Sequence, residues 1–233
     1  MAESDTLVAG LDGCRSGWVM ATVPLGATGP PRLELVDDLR DVVGRLEAGS
    51  LAAAAIDIPI GLATGAPRRC DVDARRLLGA RRSSVFPAPA RSVLGAPSYE
   101  EACARSALAC GKRISRQLFN ILPKIQQVDA VVTPQRQARL FEMCPELSFA
   151  ALAGTPMRAN KRTAEGRRER RAALEAVFGD LEPLVRGPQR GAAPDDVLDA
   201  LIGAWTARRY VTQAHVQLGG ELDAKGLRME MIA

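Results

Sequence analysis

Histidine is almost absent from this chain: His215 is the single one among 233 residues. No two of the five cysteines, at 14, 70, 103, 110 and 144, have C-x-x-C spacing. Together these absences exclude the common zinc sites and leave no Ser-His or Cys-His pair worth pursuing. An odd number of scattered cysteines reads as reduced thiols, so a cytoplasmic protein is expected. Aromatic residues make up only 4% of the chain. Alanine, leucine and valine must then fill the core, and a stacking platform for single-stranded nucleic acid is not supported. No apolar run is long enough to cross a membrane, and Met1 to Thr6, polar and acidic, does not read as a secretory signal.

What is present is a hydrophobic fraction of 47% and a mild net charge of +4, with arginine supplying most of the basic residues. That length and composition suit one domain with a substantial insertion. Residues 7–23 hold an apolar run ending at Asp12, a glycine-containing turn and a second apolar run. They read as a β-hairpin whose first strand is buried. Residues 26–31 are turn material, 32–36 alternate as a third strand, and Asp37 or Asp38 caps a helix through Leu39, Val42, Val43 and Leu46. A second buried strand follows at 51–57 and ends on Asp57, because Pro59 and Gly61 would break its ladder. Placed parallel beside the first strand, it brings a second carboxylate to the same sheet end.

The next stretch, 61–137, is mostly helical and reads as the insertion. A short helix is expected at 71–79, a proline-bounded loop at 83–89, and a helix from Ser98 to Cys110 with Glu101 completing a capping box. A further helix at 115–132 is expected to kink or divide at Pro123. Residues 138–144 are a strand candidate, 163–177 a charged helix, 188–194 a loop, 195–211 an apolar-faced helix, and 218–232 a tail with strand character.

The acids carry the chemistry. Asp196 and Asp199 are three apart, so they share a helix face. Asp195 or Asp196 fits equally well as a helix cap. Asp199 lies within the run Val197-Leu-Asp-Ala-Leu-Ile202, where a carboxylate is expensive without a partner. Glu142 and Glu146 are further acids, and for Glu142 an ion pair with an arginine competes with a ligand role. Two strand-end aspartates with a helical D-x-x-D suit oxygen-seeking Mg²⁺ or Mn²⁺, and two such ions would sit roughly 3.5–4 Å apart. Phosphoryl transfer is the chemistry this constellation fits.

Those residues carry a resemblance. The strand order with Asp12, Asp57 and the late acidic helix is similar to the ribonuclease H-like superfamily. More closely, the chain resembles the bacterial and archaeal domain of unknown function 429 family, described as predicted RNase H-like nucleases. The matching segments are Gly10-Leu-Asp-Gly-Cys-Arg-Ser-Gly-Trp18, Ala55-Ile-Asp-Ile-Pro-Ile-Gly61, Ser83-Ser-Val-Phe-Pro-Ala-Pro89, Glu142-Met-Cys-Pro-Glu146, Asn160-Lys-Arg-Thr-Ala-Glu-Gly-Arg167 and Asp195-Asp-Val-Leu-Asp-Ala200. The resemblance implies a mixed α/β sheet, a three-stranded meander plus parallel strands, flanked by helices. It implies a single domain over 1–233 and a metal site of Asp12, Asp57, Asp196 and Asp199, with Glu142 or Glu146 as additional ligands. Cys144 stands where the family's E-x-H-P-E segment has histidine, so no histidine base is assigned.

Arginines cluster around 68–91 and 158–171. For 167–171 a solvated face paired with Glu165 and Glu169 is the better reading. Arg15, Arg81, Arg82, Ser83, Ser84, Lys161 and Arg162 are better placed to meet phosphates, Lys161 and Arg162 because Thr163 starts a helix. The expectation is a metal-dependent nuclease with a nucleic-acid partner. A non-catalytic nucleic-acid or nucleotide binder, its acids paired with Arg15, Arg81 or Lys161, is one alternative. A small-molecule phosphotransferase or phosphatase is the other.

Overall fold

The computed structural model describes residues 6–26, 29–186 and 191–233. The loops expected at 26–31 and 188–194 therefore lie in part outside the described residues. In chain order the elements are β1 (Leu7–Cys14), β2 (Gly17–Pro24), β3 (Arg32–Val36), α1 (Leu39–Glu47), β4 (Leu51–Ile56), α2 (Arg69–Leu77), α3 (Tyr99–Cys110), α4 (Arg116–Val131), β5 (Leu140–Glu142), α5 (Pro145–Ala153), α6 (Ala164–Phe178), α7 (Glu182–Arg186), α8 (Pro194–Val211), β6 (Gln217–Leu222) and β7 (Arg228–Ile232). The chain divides into two units. One comprises residues 1–57, 139–216 and 232–233, and the other 58–138 and 217–231.

A five-stranded sheet in the order β3-β2-β1-β4-β5 forms the first unit. β1, β2 and β3 make the antiparallel meander, while β4 pairs parallel with β1 and β5 parallel with β4. This agrees with the RNase H-like mixed sheet expected from the sequence. α1 supplies the crossover from β3 to β4. Asp38 is its cap, accepting the Arg40 N–H at 2.9 Å. β5 is shorter than expected, because Pro145 opens α5 immediately after Cys144.

Alternation along β1 and β4 decides which face meets α8. Val8, Ala53 and Ala55 pack with Val197, Leu198, Leu201, Ile202, Ala204 and Trp205 in one core. Successive strand residues point to opposite faces, so Gly10 and Asp12 share the α8 face with Val8, and Asp57 shares it with Ala55. The helix comes unusually close. A Cβ on Gly10 would lie 2.1 Å from both the Ala200 carbonyl oxygen and the Ala204 nitrogen, and one on Gly203 2.9 Å from the Gly10 Cα. Glycine at both positions lets backbone meet backbone there.

The second unit holds α2 to α4 and the β6–β7 hairpin, the expected strand-like tail. Ser98 caps α3 by accepting the Glu101 N–H, and Ser115 caps α4 by accepting the Leu118 N–H, each at 3.1 Å. Pro123 does not divide α4, which runs unbroken from Arg116 to Val131. The helix keeps Leu118, Leu122, Ile125 and Val128 buried, and that packing outweighs the hydrogen bond the proline cannot make. The expected loop at 83–89 begins inside a 3₁₀ segment, Gly79–Ser84.

Candidate metal centre

Three elements of the first unit converge on one point. Asp12 lies near the end of β1, and Asp57 follows β4, its N–H donating to the Leu11 carbonyl at 3.0 Å and so extending the parallel ladder. With Leu11 opposite Ile56, the next residues on the two strands are the two aspartates. α8 adds Asp199, one residue before the carbonyl that touches Gly10. One carboxylate oxygen from each of Asp12, Asp57 and Asp199 lies within 4.8 Å of the other two. Asp199 is buried, whereas Asp12 and Asp57 keep partial exposure.

Such a cluster opposes its own ionisation. Burial, followed by the charges of Asp57 and Asp199, holds the Asp12 carboxyl well above the carboxylate range, against the pull of Lys161. Burial pushes Asp57 up to about 7, with Asp199, Glu142 and Glu146 adding to it and Lys161 opposing. Asp199 is raised by burial while Lys161 draws it back. For the Lys161 ammonium, burial disfavours the charge, but Asp199, Asp57 and Asp12 outweigh it and raise its pKa. The lysine makes an ion pair and hydrogen bond through Nζ to Asp199 Oδ2. Asp199 Oδ1 is buried and has no hydrogen-bond partner among the described residues. A buried carboxylate oxygen so placed fits a cation, and an all-oxygen set of three acids fits a hard divalent one.

The other expected site residues are placed differently. Asp196 lies at its own helix end, where its Oδ2 accepts the Ala193 N–H at 2.7 Å, while its charge still reaches Asp12. Alanine cannot cap α8, and an acid one turn in satisfies the orphan donor. Glu146 makes a buried two-bond ion pair with Arg170, at 2.6 and 2.8 Å. Glu142, also buried, ends β5. Arg15 and Arg162 are exposed. Lys161 lies on Asp199, the acid pairing named in the non-catalytic alternative. Arg81, Arg82, Ser83 and Ser84 belong to the second unit, in its 3₁₀ segment.

Arg170 corrects the reading of 167–171 as solvated, because it is only 1% exposed. Gly166, Arg170 and Leu174 are all buried on α6, and their four-residue spacing was the available signal. Cys144 is buried, and both burial and the Asp57 charge push its thiol further up, so it cannot stand in for a histidine base.

A family model described as protein of unknown function (DUF429) matches residues 10–221. The chain belongs to this family. The matched DUF429 region contains all three converging aspartates and the Lys161 segment. Comparison with curated proteins and with solved structures gives no match.

Proposed function

We propose that this protein is a metal-dependent phosphodiesterase acting on nucleic acid. The observation that carries the reading is the meeting of Asp12, Asp57 and Asp199, from two strands and a helix, with a buried Asp199 oxygen left open. These three residues hold the ion, Mg²⁺ or Mn²⁺. When bound, the ion lowers the pKa of a water and offsets charge on the phosphate. A water oxygen would attack phosphorus as the bond to the leaving oxygen breaks, and the proton that the water gives up would pass through solvent to that leaving oxygen. Asp196 serves this reading as the brace of the α8 N-terminus rather than as a ligand. Exposed Arg15 and Arg162 contact backbone phosphates, which position without reading sequence. Arg81, Arg82, Ser83 and Ser84 are assigned the same role. The reading places the protein in the cytoplasm, where its thiols stay reduced.

The test is cleavage of single- and double-stranded DNA and RNA with Mg²⁺ or Mn²⁺. Chelator should abolish it, and Asp12→Asn or Asp199→Asn should each reduce it by at least about 100-fold, since even residues supporting a ligand cost 10–100-fold. Full activity in a folded Asp12→Asn variant would remove the mechanism. One observation favours a second reading: the Lys161–Asp199 pair already gives the acids a partner. A non-catalytic nucleic-acid binder would hold its partner equally well with chelator present and show no cleavage.

A further inference from the structure

The Lys161 ammonium occupies part of the same carboxylate cluster. It sits on Asp199, and its charge is felt by Asp57 and Asp12 as well. The backbone that delivers it is pinned on both sides. Before it, the Glu169 carboxylate accepts the N–H groups of Arg158 and Ala159 at 2.8 and 3.0 Å, and buried Arg170 donates to the Ala159 carbonyl at 3.1 Å. After it, Thr163 donates to the Asn160 carbonyl from its N–H and its hydroxyl, at 2.9 and 2.8 Å, and the Asn160 side chain accepts the Arg162 N–H at 3.0 Å. Gly166 completes the cradle, for a Cβ there would lie 2.0 Å from the Asn160 carbonyl oxygen. A surface lysine pairing by chance would not require this framework.

Charge then limits what the site can take. The three acids offer one divalent ion an oxygen each, and the other oxygen of Asp199 is already taken by the ammonium. A second divalent ion on Asp199 would have to share Oδ2 with the ammonium, and like charges so close together on a buried carboxylate repel strongly. We propose that Lys161 is a resident cation in place of a second metal, so that the site takes one divalent ion per chain, held by Asp12, Asp57 and the open Oδ1 of Asp199. The inference rests on the metal-dependent reading. Lys161 remains on Asp199 Oδ2 and supplies the positive charge that a two-ion site would draw from its second metal.

Stoichiometry tests this without an activity assay. Metal-free full-length protein is titrated with Mn²⁺ by calorimetry, and bound Mn²⁺ is read by electron paramagnetic resonance. The native chain should take one ion and give an uncoupled spectrum. Lys161→Arg, which keeps the charge, should also take one. A folded Lys161→Met variant, which keeps the stem and loses the charge, should take two, with a spin-coupled signal. Two ions in the native chain overturn the inference while leaving the metal-dependent reading intact, and that result needs no variant. Any count other than two in folded Lys161→Met overturns it too. No binding by the native chain overturns both.

Discussion

Asp57 carries the clearest pH consequence at the scale of single residues. Its carboxyl lies near 3.8 in an ordinary setting and at about 7 in the metal-free fold, chiefly through burial. The folded chain therefore binds that proton more tightly than the unfolded one. The associated stability is fully present below the unfolded value and is lost as pH rises through about 7. Metal-free protein should accordingly melt at a higher temperature at about pH 5 than at about pH 8. Asp57→Asn should flatten part of that difference in a calorimetric scan. A divalent ion competes with the same proton, so apparent Mn²⁺ affinity should fall as pH drops below about 7, which a titration series at stepped pH measures. Lys161 keeps its charge throughout that range, because the three acids outweigh the effect of burial on it.

Two helices of the first unit set the geometry at the scale of elements. α8 can bring Asp199 to the strand ends only because Gly10 admits its backbone. Gly10→Ala should cost about 1–3 kcal/mol in urea unfolding, as other overpacking substitutions do, and weaken Mn²⁺ binding by tilting α8. The contrasting substitution is Gly44→Ala, in the interior of α1 where an added Cβ meets nothing within 4 Å; it should stabilise by about 0.4–1 kcal/mol. α6 contributes through Arg170, which joins Glu146 of α5 to the Ala159 carbonyl of the Lys161 segment. Arg170→Met leaves a buried Glu146 without that cation and should cost about 3–5 kcal/mol. The double variant with Glu146→Gln should recover much of the loss, and a thermodynamic cycle on the four proteins measures how much.

The whole molecule carries a net charge of +4, too small by itself to specify an anionic partner. If it binds nucleic acid through phosphates, affinity should fall as salt rises. The logarithmic slope should be about −0.9 for each phosphate neutralised on duplex DNA. The Asp12→Asn chain, in which the proposed cleavage should be at least about 100-fold slower, allows that slope to be measured near equilibrium. Arg162→Ala should lower its magnitude by about one contact. A slope near zero would argue against phosphate contacts as the source of binding.

Much of the sheet was legible in the chain because each strand carries its own signal. Apolar runs ending on Asp12 and Asp57, the alternation at 32–36 and the capped helix before β4 are local patterns, and the structure reproduces their order and pairing. Asp199 was legible for a similar reason, as an acid inside an apolar helical run. Its neighbour Asp196 was not separable from it by spacing, since both a capping acid and a ligand fit that position. The structure puts its Oδ2 on the Ala193 N–H three residues back, a local capping contact. Lys161 and Arg170 were likewise not settled by spacing. In the sequence Arg170 belongs to a basic stretch that reads as solvated, while Lys161 fits a phosphate contact or a partner for the acids equally well. Only packing α6 against α5 and α8 brings them to acids far away in the chain, where losing water makes each ion pair necessary. Local patterns thus determined which elements form and where the strand-end acids stand. Which acids meet, and which cation meets them, depended on long-range contacts that no periodicity records.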